Sequence, residues 1–302
     1  MTTPIIVGPT AVGKTDLVLE LSQYLNSEII NLDSRQIYKY LNIGTAKPTK
    51  ADIKYISHHL IDFVDPKIQY SSFNFKKDFS KAYNKVLNEN KIPIITGGTG
   101  FYLDTIVKPF IKVGSDYGLR KYLERLEKKE PGILRTILKK IDEVSFDKIH
   151  KNDLKRIIRA IEIYILKGKN RNQLKNESEP ILKDYKIFVL NRDRKELHER
   201  INNRVDKMFD QGLLDEVKYL LNNGFNKNLN SLNTIGYKET IQYLEGKRSL
   251  EETKEIIKTN TRNYARRQII YFRKYKNAEW LNLSSLTKEE SIKFIIKDIK
   301  GV

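Results

Sequence analysis

Apolar and polar positions along the chain follow two rhythms. In residues 1–110, short apolar runs end in glycine or in Asp-Ser: PIIVG (4–8), EIINLDS (28–34) and KIPIITGGTG (91–100). Each predicts a strand, because so short a run bounded by turn residues suits an extended, buried segment. Between these runs the spacing turns helical. Leu17, Val18, Leu21 and Leu25 share a face over 15–25, and Phe75, Phe79, Ala82 and Val86 do so over 74–88. The alternation predicts an α/β fold: a parallel sheet flanked by helices and joined by right-handed crossovers. Ligands of such sheets bind at the carboxyl ends of the strands, where the glycine turns fall in this chain.

Beyond residue 119 the rhythm is helical. The strongest helix signal opens at Asn152–Asp153, keeps Leu154, Ile157, Ile158, Ile161 and Ile165 on one face, and stops at Gly168. Residues 169–183 are polar, lack a period and read as a loop. KIFVLNRD (186–193) predicts one more strand, followed by helices over 194–223, 234–245, 250–276 and 287–299. The expected organisation is the first part of an α/β core over 1–118, a helical insertion over 119–183, and core completion with a basic helical C-terminal part over 184–302.

Composition changes this picture in one respect. The chain of 302 residues carries a net charge of +18, which makes a polyanion the first partner to consider. The excess is uneven. Residues 1–119 hold 14 basic and 11 acidic side chains, 120–210 hold 25 and 16, and 211–302 hold 17 and 11. There are 40 Lys and 16 Arg, and all Arg but Arg35 lie beyond residue 119. Lysine abundance fits a solvated surface as well as a binding one; arginine, with its planar fork, points more strongly to phosphate or RNA. The absence of cysteine excludes disulfides, thiolate nucleophiles and Cys-type zinc sites. No apolar run approaches the ~18 residues of a membrane span. The first glycine-rich motif begins at residue 8, which leaves no room for a leader peptide. We expect a cytoplasmic protein that does not meet a membrane.

GPTAVGKT (8–15) matches the phosphate-cradling pattern G-x-x-x-x-G-K-[ST] in full. It follows a predicted strand and opens a predicted helix. Gly8 and Gly13 allow turns that aim N–H groups inward, the helix N-terminus adds positive potential, Lys14 supplies a charge, and the Thr15 hydroxyl is placed to ligate Mg2+. An NTP is the default ligand, but any diphosphate fits such a cradle. The other parts of an NTPase are hard to find. Asp33 ends the next strand instead, placed to accept a proton from a second substrate or, more simply, to cap the next helix. GGTGFYL (97–103) offers a second glycine turn around Thr99, and IGTAKP (43–48) a Gly/Pro-punctuated loop with one Lys. His58 and His59 lack a third ligand and read as a structural pair. The aromatic residues near 70–83 read as core or pocket wall.

These segments, with HHLIDFVDP (58–66), HKNDLKRIIRAIEI (150–163), IGYKE (235–239) and TRNYARRQIIYFR (261–273), occur in the order seen in the tRNA dimethylallyltransferases. The chain resembles that family over nearly its whole length. DSRQIY, IGTAKP and GGTGFY together are far more specific than the phosphate motif alone. The likeness is to the compact bacterial form, which lacks the zinc-finger extension of eukaryotic members.

The resemblance implies transfer of a dimethylallyl group from dimethylallyl diphosphate to N6 of the adenosine 3′-adjacent to the anticodon in tRNA, with release of diphosphate. It implies that Gly8, Pro9, Thr10, Ala11, Val12, Gly13, Lys14 and Thr15 surround the diphosphate, with Mg2+ on Thr15. It makes Asp33 the general base on N6, sets Thr99 near the reacting centre, and has Arg120 contact substrate. It further implies tRNA contacts from Asp33, Ser34, Arg35, Gln36, Thr99 and Arg120, from Lys155, Arg156, Ile157, Ile158 and Arg159, and from Asn233, Thr234, Ile235, Gly236, Tyr237 and Lys238. The implied partner is a tRNA anticodon stem-loop, bound by a monomer.

The residues themselves agree in part. Arg156 and Arg159, three apart on a helix, are expected to point one way. Arg262, Arg266 and Arg273 recur with Tyr264 and Tyr271, a mixture that suits splayed bases and phosphates of an RNA loop. Three rivals stand beside this reading. An adenylate isopentenyltransferase acting on free nucleotide would not need the basic surface. A P-loop kinase or RNA-stimulated NTPase would bind and hydrolyse ATP. A non-catalytic RNA-binding protein would leave the phosphate motif and Asp33 without a role.

Overall fold

The computed structural model describes residues 2–111 and 113–301, and the chain separates into two compact units, Met1–Leu103 with Asp184–Val302, and Asp104–Lys183. The first is built on a six-stranded sheet: β1 (Thr3–Val7), β2 (Ser27–Asn31), β3 (His58–His59), β4 (Ile92–Gly97), β5 (Tyr185–Asn191) and β6 (Glu279–Asn282) in the order β3-β2-β4-β1-β5-β6. Every pairing is parallel; Ile5 of β1 lies opposite Ile95 on one side and Ile187 on the other. A parallel sheet is covered on both faces, so β1 is buried throughout.

The helices α1 (Lys14–Leu21), α2 (Lys50–Tyr55), α3 (Ser72–Asn88) and α4 (Gly100–Val107) alternate with the first strands. In α3 a capping box between Ser71 and Asn74 satisfies the first turn, and Phe75, Phe79, Ala82 and Val86 are buried as their spacing predicts. The boundary between the units falls within α4, at Asp104, where the sequence pattern suggested 119.

The second unit consists of α5 (Tyr117–Lys129), α6 (Ile133–Ile141), α7 (Glu143–Lys148), α8 (Leu154–Lys167) and α9 (Arg171–Asn176). Asp153 caps α8 by accepting from the Arg156 N–H, and Gly168 ends it in the left-handed region at φ 64. Leu123, Leu134, Leu138, Ile157, Ile158 and Ile161 form its core. The segment 169–183, expected to be a loop, contains α9, opened by a capping box between Asn170 and Gln173. A helix this short gives too few turns for an apolar period to show.

The chain returns to the sheet through β5 and adds α10 (Arg194–Asp210), α11 (Leu213–Asn222), α12 (Tyr237–Leu244), α13 (Leu250–Phe272) and α14 (Lys288–Lys300). The single helix expected over 194–223 breaks at Gln211–Gly212, where Gly212 takes φ 96 and starts α11. The helix expected over 234–245 begins only at Tyr237, because Gly236 turns at φ 96. β3 and β6, of two and four residues, carry no periodic signal.

Candidate active site

The cradle is built from the end of β1. Gly8 cannot carry a side chain, since a Cβ there would stand 2.5 Å from the Leu190 carbonyl oxygen. Ala11 and Gly13 take φ 62 and 106, and Gly13 caps α1. Two arginines hold this loop from outside. Arg200 Nε donates to the Ala11 carbonyl and Arg192 Nε to the Val12 carbonyl, both at 2.9 Å. Tying these carbonyls to cations removes acceptors that would repel an anion, while the N–H groups at the start of α1 keep their orientation.

Lys14 Nζ donates to the carbonyls of Gly8 at 2.9 Å and Pro9 at 2.8 Å. Two of its three N–H bonds are thereby used. Burial and the neighbouring Arg204 guanidinium pull its ammonium down to about 7, against the opposing pull of Asp33. Burial likewise lowers Arg204, again offset by Asp33. Cations are crowded here with one carboxylate facing them, an arrangement that a bound anion would relieve. Thr15 sits exposed at the mouth.

Asp33 lies just past β2. Its Oδ1 accepts from the backbone N–H of Arg35 at 2.7 Å and Gln36 at 3.2 Å. Among the described residues no hydrogen bond is recorded to Oδ2, which leaves that oxygen for a substrate proton. Thr99 Oγ1 accepts from the Ser34 N–H at 3.0 Å, so the turn after β4 is fastened to the turn after β2. Tyr264, on α13, stands beside Thr99 and Asp33; burial first, then the Asp33 charge, keep its phenol protonated by pushing its titration upward. Lys14, Asp33, Arg35, Arg204 and Tyr264 all line one cleft of about 750 Å3, within the size range of small-molecule sites.

The IGTAKP loop forms another wall through Ile43, Gly44, Thr45, Ala46 and Pro48. Its shape is set by Glu216, whose carboxylate accepts from the N–H groups of Asn42, Ile43 and Gly44 and from the Tyr237 hydroxyl. Lys47 uses its three donors on the Tyr38 carbonyl, Asn42 and Asp62. Gln36 Nε2 donates to the Thr45 and Ala46 carbonyls. Arg35 donates to the Asn230 carbonyl.

The structure sorts the expected nucleic-acid residues. Ser34, Arg35, Gln36, Asn233, Thr234, Ile235 and Gly236 line the cleft. Tyr237 does not reach a ligand: it is fully buried under Gly44, whose Cβ would lie 2.4 Å from its ring. Lys238 is exposed. In the second unit, Lys155 and Arg156 are exposed, Arg156 pairing with Asp153 at 3.3 Å. Ile157 and Ile158 are buried in that unit's core and act in packing. Arg159 does not share the outward direction of Arg156. It donates to the carbonyls of Val113 and Gly114 and to Glu162. Arg120 binds both oxygens of the same Glu162, which is fully buried, and donates to Ser115. Within its own unit, Arg120 is therefore part of an ion-pair network that holds segment 113–116. His59 binds Glu28 and His58 the Ile56 carbonyl, a structural pair.

Sequence reading passed over Arg192, Arg200, Arg204, Glu216 and Gln268. The spacing of Arg200 and Arg204, one turn apart along the edge of the helix face that carries Leu197, Ile201 and Val205, was the one available signal.

A glycine-rich cradle at the end of a central parallel strand, backed by arginines and facing a carboxylate, defines a P-loop α/β protein. The sequence profile of the IPP transferase family matches residues 36–275. The tRNA dimethylallyltransferase of Petrotoga mobilis is 51% identical over 296 residues, covering 97% of this chain and 98% of the relative. That of Thermosipho africanus is 52% identical over 299 residues, covering 99% of each. Among solved structures, the tRNA isopentenylpyrophosphate transferase of Bacillus halodurans is similar with a TM-score of 0.74 and 35% identity, over 99% of this chain and 96% of that one. A eukaryotic dimethylallyltransferase acting on tRNA gives 0.85 and 31%, over 99% and 79%. The chain belongs to the IPP transferase family.

Proposed function

We propose that this protein transfers a dimethylallyl group from dimethylallyl diphosphate to N6 of the adenosine 3′-adjacent to the anticodon in tRNA, releasing diphosphate. The observation that carries this reading is that Lys14 with Arg200 and Arg204 and, facing them, Asp33 line one cleft, with Thr99 fastened to the Ser34 turn at its edge. An exocyclic adenine amine is a poor nucleophile, since its lone pair is delocalised. An allylic C1–O bond breaks readily once the departing diphosphate is neutralised. Lys14, Arg200, Arg204 and the N–H groups opening α1 supply that neutralisation. The C1–O electron pair leaves with the diphosphate, the N6 lone pair forms the bond to C1, and the N6 proton passes to Asp33.

The residues present fit a divalent ion of the Mg2+ kind. The Thr15 hydroxyl, in the cleft beside Lys14, would hold it, with diphosphate oxygens and water completing the shell, as Mg2+ prefers. Its contribution when bound is further neutralisation of the leaving group.

The tRNA anticodon stem-loop is the macromolecular partner. Ser34, Arg35, Gln36 and 233–236 line the cleft that the extruded base enters, and Lys155 and Arg156 present an exposed basic face in the second unit. No helix among the described residues is long and apolar enough to cross a membrane. A monomer working in a reducing, cytoplasmic setting suits a chain without cysteine. The test offers the protein dimethylallyl diphosphate or ATP, each with and without unmodified tRNA. Diphosphate released from the prenyl donor only when tRNA is present supports the proposal; ATP hydrolysis without prenyl transfer replaces it with a P-loop NTPase.

A further inference from the structure

Gln268, on α13, is 5% exposed and touches both halves of the cleft. Its Oε1 accepts from the Thr10 N–H of the cradle at 2.9 Å, and its Nε2 donates to the Gly98 carbonyl, in the turn that carries Thr99, at 2.9 Å. Both amide ends are thus satisfied by backbone on two different strand ends, after β1 and after β4. The fit is close. A Cβ on Gly98 would lie 2.3 Å from Gln268 Nε2. The neighbouring turns of α13 engage the same region: Tyr264, four residues earlier, stands beside Thr99 and Asp33, and Tyr271, three residues later, packs where a Cβ on Gly100 would lie 2.1 Å from its ring. Positions 264, 268 and 271 share one helix face.

From this geometry we infer that Gln268 is a positioning residue: a strut that fixes the distance between the diphosphate cradle and the Thr99–Asp33 side of the cleft. A primary amide is suited to this. It offers one acceptor and one donor at fixed separation, without a charge that would compete for the diphosphate. The inference rests on the transfer reaction proposed above. In that reaction the bond forms between a carbon held from the cradle and a nitrogen held from the Asp33 side. Binding of either substrate engages only one side, whereas the chemical step needs the two in register.

The test compares Gln268→Leu, Gln268→Glu and Gly98→Ala with the unsubstituted protein in single-turnover transfer to tRNA, alongside binding of dimethylallyl diphosphate and of tRNA measured separately and thermal unfolding. Misregister by about an ångström costs on the order of 10²-fold in rate. The strut therefore predicts a loss of about that size for Gln268→Leu, with the unfolding midpoint and both dissociation constants little changed. Gly98→Ala displaces the amide with one methyl group and should lose rate in the same pattern, even if Gln268→Leu fails to fold. Gln268→Glu keeps the acceptor for Thr10 and loses the donor to Gly98, so its saturated rate should also fall. Transfer by Gly98→Ala and Gln268→Glu at the unsubstituted rate would overturn the strut, as would loss of rate only in proportion to loss of substrate binding. If the unsubstituted protein itself fails to prenylate tRNA, the functional reading is refuted rather than the strut.

Discussion

The two units use partly buried cations in different ways. In the sheet unit, Lys14 and Arg204 are crowded around a cleft with Asp33 as the carboxylate facing them, and the charge stays largely unneutralised. In the helical unit, Arg120 and Arg159 make direct ion pairs with the fully buried Glu162, one carboxylate shared by two guanidinium groups. The helical unit is nonetheless the more basic for its size: 20 basic and 12 acidic side chains in residues 104–183, against 36 and 26 in the rest of the chain. Net charge thus distinguishes the helical unit by its excess, whereas the cleft of the sheet unit is distinguished by cations set around a single carboxylate.

The largest expected effect is at Asp33. Asp33→Ala removes the proposed base and leaves the cradle and the basic surface in place. Steady-state turnover should fall by roughly 10²- to 10⁴-fold, while a filter-binding assay finds tRNA affinity near normal. A variant with ordinary turnover would move the base elsewhere.

Next is Lys14. Its ammonium titrates near 7 in the free protein, lowered by burial and Arg204. A bound diphosphate favours the charged form and raises it. Affinity for dimethylallyl diphosphate should therefore be full below pH 7 and decline as pH rises beyond it, by up to about tenfold per pH unit. Calorimetric titrations across pH 6–9 check the sign. Lys14→Met should weaken binding and flatten that decline; a flat profile in the unsubstituted protein would contradict the assignment.

Glu162 breaks the other side of the contrast. Burial alone would raise its carboxyl, but hydrogen bonds from Arg120 and Arg159 and from the Asp116 N–H outweigh this and hold it below the ordinary value. Its stabilising contribution is present above the unfolded-state value and lost as pH falls through the lower folded one. Glu162→Gln leaves two partly exposed guanidinium groups without a counter-charge and should cost about 1–3 kcal/mol. Hydrogen exchange should show the loss in residues 104–183 and leave the sheet protected. Equal loosening of both units would count against a local role.

The smallest effect is expected at the exposed pair. Lys155→Ala with Arg156→Ala should reduce the salt dependence of tRNA binding by roughly one to two counterions and leave the single-turnover rate at saturating tRNA unchanged. A fall in that rate with no change in salt slope would place these residues in the chemistry.

Much of the site was legible in sequence because it is local. GPTAVGKT folds its own cradle, Asp33 and Thr99 end predicted strands, and the helix signal at 154–167 named Ile157, Ile158 and Ile161, which are buried, but also Ile165, which the last turn of the helix leaves exposed. What stayed hidden is long-range. Arg192 and Arg200 reach the phosphate loop across about 180 residues of chain, and Gln268 reaches Thr10 across 258. Local patterns carry no trace of such pairings. Segment resemblance also treated neighbours alike. KRIIR reads as one basic stretch, yet a helix sends Arg156 outward, Ile157 and Ile158 into the core, and Arg159 to Glu162. Tyr237 sits beside the cleft-lining 233–236 but turns inward to Glu216.

The most direct test of the central claim offers dimethylallyl diphosphate, labelled in its prenyl carbons, to the protein with unmodified tRNA and, separately, with AMP. Label is expected on N6 of the adenosine 3′ to the anticodon and none on AMP. Label appearing on AMP but not on tRNA would contradict it and assign the cleft to a free nucleotide.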